Sequence, residues 1–318
     1  MKKHLALPAL FIAMPVFAQP APPQKGFSGE ISLNAGIISS TSNFNVDGDR
    51  TICSLENKAD SESEGLIAPL GNIAYTFGDG LNQQIYFGTT REDIAVGTLA
   101  VQLGYKYSLS SGTVVDVSFL PTVISGETWQ IPYQLNTPRK ETDVSGNAYR
   151  LQLNSISGSG FSLDLAFATT DVEDDLTAGT DLARDADSYY TKGSYRFTVS
   201  PTSFVSPSVI YIQHDADGSA SSFDAYGAEV SWFNILDRHS LVLTAGFTRR
   251  DYDSASTLFN RTRSDDEFSL FAAYEYPKFM GWKDWSFISF AGYGDTQSNL
   301  TFYDESSYLL AVGLNYKF

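Results

Sequence analysis

Tyr308-Leu-Leu-Ala-Val-Gly-Leu-Asn-Tyr-Lys-Phe318 places a large apolar side chain at every second position. Tyr308, Leu310, Val312, Leu314, Tyr316 and Phe318 share one face; Leu309, Ala311, Gly313, Asn315 and Lys317 share the other. Side chains alternate across a strand, so this stretch reads as a β-strand with one greasy face and one small or polar face.

The same alternation recurs upstream. Leu99, Val101, Leu103, Tyr105, Tyr107 and Leu109 form one face of a segment, and Val115, Val117 and Phe119 continue it beyond a turn. Phe161, Leu163, Leu165 and Phe167 repeat it, as do Leu241, Leu243, Ala245 and Phe247. Tight turns are expected at 78–81, 110–112, 157–160 and 200–203, where Gly, Ser, Asp and Pro supply the needed backbone conformations. Two longer turns are expected at 234–240 and 278–284. Between them lie polar loops at 45–66, 91–95, 126–144, 171–187, 215–221, 253–267 and 295–305. Short connections alternating with long ones predict an all-β, antiparallel up-and-down transmembrane barrel of about 14 strands, with about 12 as the alternative. Pro69 and Pro207 sit inside predicted strands, where each removes a ladder donor.

A soluble β-sandwich would also alternate apolar and polar residues. It gives no reason for aromatic residues to gather near strand ends, as Tyr105, Tyr107, Tyr274, Tyr276, Trp282, Trp285, Tyr316 and Phe318 do. Girdles at two membrane interfaces do give one. Aromatic residues make up 14% of the chain and charged residues only 18%. A barrel whose lipid-facing and lumen-facing residues cancel accounts for such a composition.

The amino terminus reads as an export signal. Met1-Lys2-Lys3-His4 is basic, Leu5 to Phe17 is apolar but too short to span a bilayer, and Val16-Phe17-Ala18 offers a cleavage site after Ala18. The expected domains are therefore a cleaved signal, 1–18, and one barrel, 19–318. Cys53 is the single cysteine and falls in the first long loop, so no intramolecular disulfide can form.

The closing strand ending on Phe318 resembles those of Gram-negative outer-membrane barrels, and the resemblance implies recognition by the barrel-insertion machinery. From Gly26-Phe-Ser-Gly-Glu30 to Phe318 the hairpin series also resembles an outer-membrane family known as domain of unknown function 2860, which implies the fold but no mechanism.

If the greasy faces meet lipid, the opposite faces line a lumen. Lys106, Asp116, Arg150, Asp164 and Arg196 fall on that side, alternating in sign along the strand order. Lys192, Glu229, Arg250 and Glu275 also fall there. Lys106 and Asp116 are equidistant from Ser111 and are expected to face each other. Such charges either brace the interior in pairs or form a constriction that selects solutes by charge. The stretch 126–144, with Trp129, Tyr133, Arg139 and Lys140, could fold inward as a plug.

The functional expectation is a passive porin-like channel for small hydrophilic solutes in the outer membrane. The alternatives are a closed surface-interaction barrel contacting lipopolysaccharide, a phage or a host, and a barrel hydrolase. A net charge of −16 argues against a nucleic-acid partner. It is concentrated in the loops at 45–66 and 171–187, which suits attraction of cations or divalent bridges to lipopolysaccharide. His214 beside Asp215 is the best candidate for hydrolytic chemistry, but no Gly-x-Ser-x-Gly elbow or phosphate loop accompanies it. Asp215-Ala-Asp217-Gly218 opens like a calcium loop, yet Tyr226 stands where the bidentate Glu would be needed. No cofactor, metal or chemical step is expected.

Overall fold

A computed structural model describes residues 24–90, 93, 100–122 and 126–318. The expected signal segment and most of the loop at 91–95 lie outside these residues. The strands are β1 (Gly26–Thr41), β2 (Ser61–Phe77), β3 (Gln83–Thr89), β4 (Val101–Ser108), β5 (Val114–Pro121), β6 (Gly126–Trp129), β7 (Glu141–Asn154) and β8 (Phe161–Val172). They continue with β9 (Ala186–Tyr195), β10 (Phe197–Ser200), β11 (Ser203–Ala216), β12 (Phe223–Leu236), β13 (His239–Ser256), β14 (Arg261–Pro277), β15 (Trp285–Ser298) and β16 (Glu305–Lys317).

Every pairing between neighbours is antiparallel, and β16 closes on β1 through Glu30↔Lys317 to Thr41↔Ser306. β5 and β6 both lie along β7, and β9 and β10 both lie along β11. Each of these couples is one wall stave with a break in it, so the sixteen strands form a closed barrel of 14 staves. Among the described residues closure leaves no free sheet edge, the condition for a β-structure to stand in lipid.

The outward wall is apolar. Phe27, Leu33, Ile37, Ile67, Val209 and Leu310 are all more than half exposed, which is costly in water and favourable against hydrocarbon. On β15 and β16 this wall is bounded by aromatic pairs, Trp285–Tyr316 at one height and Tyr293–Tyr308 at another. Tyr316 and Tyr308 are eight positions apart; at ~3.4 Å per residue this is about 27 Å along the strand. A tilt of about 40° reduces it to about 20 Å, close to the apolar band of a membrane barrel.

The strands continue past that band. The loop expected at 253–267 is mostly strand, because β13 runs to Ser256 and β14 starts at Arg261. The C-terminal end of the loop expected at 45–66, from Ser61, is likewise part of β2. Above the aromatic level the outward residues turn polar, as in the Arg249–Asp266 pair, so alternation of hydropathy ends while the hydrogen-bonded ladder goes on. Pro69 and Pro207 both lie within paired strands, opposite Leu33 and Val230. Cys53 is exposed in the β1–β2 loop.

Candidate functional site: the inner wall

The register lines up one row of inward residues across five staves. Lys106 stands opposite Asp116, Asp116 opposite Gln152, Gln152 opposite Asp164, and Asp164 opposite Lys192. Lys106 Nζ is 3.6 Å from Asp116, whose other oxygen accepts a hydrogen bond from Tyr86 Oη at 2.8 Å. The Lys106 ammonium also lies 4.7 Å from the centroid of the Tyr86 ring. Lys192 Nζ bonds Glu229 Oε1 at 2.7 Å, reaching over Ser208 on the strand between them.

Arg150, one inward position above Gln152, is the hub. Its Nη2 and Nε donate to Asp164 at 2.7 and 3.0 Å, and its Nη1 donates to both oxygens of Asp93 at 3.1 Å. Asp93 belongs to the β3–β4 connection and is 3% exposed. It also accepts hydrogen bonds from Thr90 Oγ1 at 2.6 Å and Gln102 Nε2 at 2.7 Å. A carboxylate from a connecting loop is thus bound to the inner wall. Nothing in hydropathy marks Asp93; hydrogen bonds from Arg150, Gln102 and Thr90 hold it in place.

Of the five residues expected to line the lumen, Lys106, Asp116, Arg150 and Asp164 come together in this belt. Arg196 does not. It sits exposed at the break between β9 and β10, where its backbone N–H donates to Gly160 O at 2.9 Å. Its guanidinium lies 5.6 Å from the Phe204 ring centroid, toward the short-turn end. Lys192 takes the place in the row that counting from the turn assigns to Arg196. Barrel closure staggers neighbouring strands, so heights measured from different turns do not coincide.

Apolar clusters lie on either side of the belt. Toward the short turns, Phe204 stacks on Phe233 with ring centroids 4.3 Å apart, beside buried Val242 and Ala273. At the long-loop end, four connections meet in one aromatic group made of Phe44, Tyr133, Phe259, Phe302 and Tyr303. Tyr303 Oη donates to Tyr133 Oη at 3.0 Å, and burial raises the Tyr133 hydroxyl above the ordinary tyrosine value. The Arg263 guanidinium, paired with Asp265, rests 3.6 Å from the Tyr303 ring centroid and ties this group to the wall.

The segment considered as a plug divides into β6, the start of β7 and a connection at 130–140. Its Arg139 stacks 4.3 Å from the fully buried Trp129 and donates to the carbonyls of Asn43, Pro132 and Asp49. Burial lowers the Arg139 guanidinium to about 10, with Asp49 offsetting part of the effect. This connection therefore locks onto the β1–β2 loop, sealed by the Ile52↔Leu135 bridge.

His214 Nδ1 and Ser188 Oγ are 2.8 Å apart, and the His214 ring stacks on Phe223. Asp215 is exposed and binds Gln213 instead, because consecutive residues of β11 point to opposite faces. The Asp–His pair is not assembled. Among the described residues, no group of three or more His, Cys, Asp or Glu side chains could hold a metal ion.

No curated protein matches the chain. Among solved structures it is similar to the outer membrane channel DcaP of Acinetobacter baumannii, at 12% identity over 92% of this chain and 96% of that one, TM-score 0.45. It is also similar to the CymD monoaromatic hydrocarbon channel, at 8% identity over 93% and 89%, TM-score 0.47. Outer-membrane OmpT of Vibrio cholerae matches at 12% identity over 92% and 97%, TM-score 0.44. The family model of the protein of unknown function DUF2860 matches residues 26–317, and the chain belongs to that family.

Proposed function

We propose that the protein is a passive outer-membrane channel with a narrow charged bore for small hydrophilic solutes. The observation that carries this reading is the belt Lys106–Asp116, Asp93–Arg150–Asp164 and Lys192–Glu229, set on the inside of a wall whose outside is apolar. Removing charged groups from water costs several kcal/mol per ion. A barrel serving only as an anchor could fill its interior with apolar and hydroxyl side chains at lower cost. Transport needs no chemical step and no cofactor. Lipid and lipopolysaccharide are the partners of the outer wall and the acidic loops.

Single-channel recording of the purified barrel in a planar bilayer tests the reading. Discrete, reproducible steps of small conductance are expected. A barrel shown to be folded by its heat-modifiable gel mobility, yet electrically silent, would overturn the channel. The aromatic group at the long-loop end favours one second reading, a closed barrel that presents its loops to a surface partner. Silence of the folded protein would select it.

A further inference from the structure

We infer that the bore is selective for small cations over anions; this rests on the channel reading above. The inner-wall ion pairs do not balance. Among the described residues, six inward cations (Lys106, Arg150, Lys192, Arg250, Arg263 and Lys317) are joined to seven carboxylates. The excess arises at Arg150, which is shared by Asp93 and Asp164. One guanidinium neutralises one of them, so the belt carries one net negative charge among the described residues. Glu305, also on the inner face, adds another carboxylate near the long-loop end, where it accepts a hydrogen bond from Ser42 Oγ.

Burial gives this surplus its reach. Asp93, Asp164 and Arg150 are each no more than 9% exposed, so little water or salt screens them laterally. Low-dielectric walls focus such a field along the bore, where it attracts cations and repels anions. The loops at the entrance act in the same sense, since 171–187 carries seven Asp and Glu residues against the single Arg184. Approaching cations are concentrated at the mouth and then meet a belt of the same sign.

The test is a reversal-potential measurement on the purified full barrel in a tenfold KCl gradient, with Asp164→Asn alongside. The expected permeability ratio of K⁺ over Cl⁻ is about three or more at low salt, falling toward one near 1 M salt, where the screening length is ~3 Å. Asp164→Asn leaves Arg150 with Asp93 alone and is expected to lower the ratio about twofold. Conducting steps with a ratio at or below one would overturn cation selectivity and leave the channel standing. An unchanged ratio in folded Asp164→Asn would refute the assignment of the surplus to the Arg150 triad. Absence of steps from folded wild-type protein would remove the channel and the selectivity together.

Discussion

Lys192 and Glu229 are joined at 2.7 Å across two strand spacings, and their side chains are 0% and 1% exposed. Neither strand neighbours the other; β11 lies between them, and Ser208 Oγ lies within 3.5 Å of the same carboxylate oxygen. The pair therefore clamps three staves of the barrel from the inside. Its strength depends on both partners being present, because each alone is a buried charge in a poor solvent.

Removing one partner should accordingly cost more than removing both. Lys192→Met is expected to destabilise the barrel by about 3–5 kcal/mol, and Lys192→Met with Glu229→Leu to recover most of that. The check is the denaturant midpoint of each refolded variant, followed by tryptophan emission. A single variant as stable as wild type would show that the clamp contributes nothing.

Asp116 connects Lys106 to Tyr86 and is 3% exposed. Asp116→Lys should shift ion selectivity toward anions by placing two ammonium groups side by side. Asp116→Asn, which keeps the shape, should shift it the same way by a smaller amount. Reversal potentials equal to wild type in both variants would place Asp116 outside the conducting path.

The long-loop aromatic group should restrain the loops that form it. Phe302, fully buried, touches Phe44, Tyr133, Phe259 and Tyr303. Phe302→Ala is expected to cost about 3–5 kcal/mol of local packing. Hydrogen exchange should then accelerate in the four connecting loops and stay at wild-type rates in the middle of β12 to β14. Uniform acceleration throughout would mean that the group supports the whole barrel.

The β8–β9 loop carries a pH-sensitive anchor. Burial raises the Asp175 carboxyl, but hydrogen bonds from Arg184 and Thr177 outweigh this and hold it below the ordinary carboxylate value. A depressed value means that the ionised form is the one bound in the folded loop. The anchor is therefore complete above the ordinary value of about 4 and is lost as pH falls through the lower, folded value. Proteolytic nicking within 173–185 should stay slow at neutral pH and rise in acid, and Asp175→Asn should be nicked readily at both.

Gly29 seats the terminal ring. A Cβ there would lie 2.6 Å from the Phe318 ring and 2.5 Å from Asn72 O. Gly29 and Phe318 also exchange backbone hydrogen bonds of 3.0 Å at the closing seam. Gly29→Val should cost about 1–3 kcal/mol through overpacking and reduce the yield of heat-modifiable barrel on refolding. A wild-type yield would show that the seam tolerates movement of the ring.

The barrel itself was legible in the sequence because membrane strands carry a period of two that survives without any tertiary information. Lipid imposes an apolar residue at alternate positions of each spanning strand, as at Leu103, Phe247 and Leu310, and tight reversals demand Gly, Ser, Asp or Pro at the short turns. The pairing of Lys106 with Asp116 was legible for the same reason, since both are counted from one turn. Three features were decided only by the closed structure. Strand ends above the apolar band were hidden, because outside hydrocarbon the ladder constrains backbone and not side-chain polarity. Arg196 was displaced from the charged row in favour of Lys192, because the stagger that closes a barrel is a property of all the staves and of no single hairpin. Asp93 joined Arg150 through hydrogen bonds between residues 57 positions apart, a long-range contact that no periodic pattern encodes.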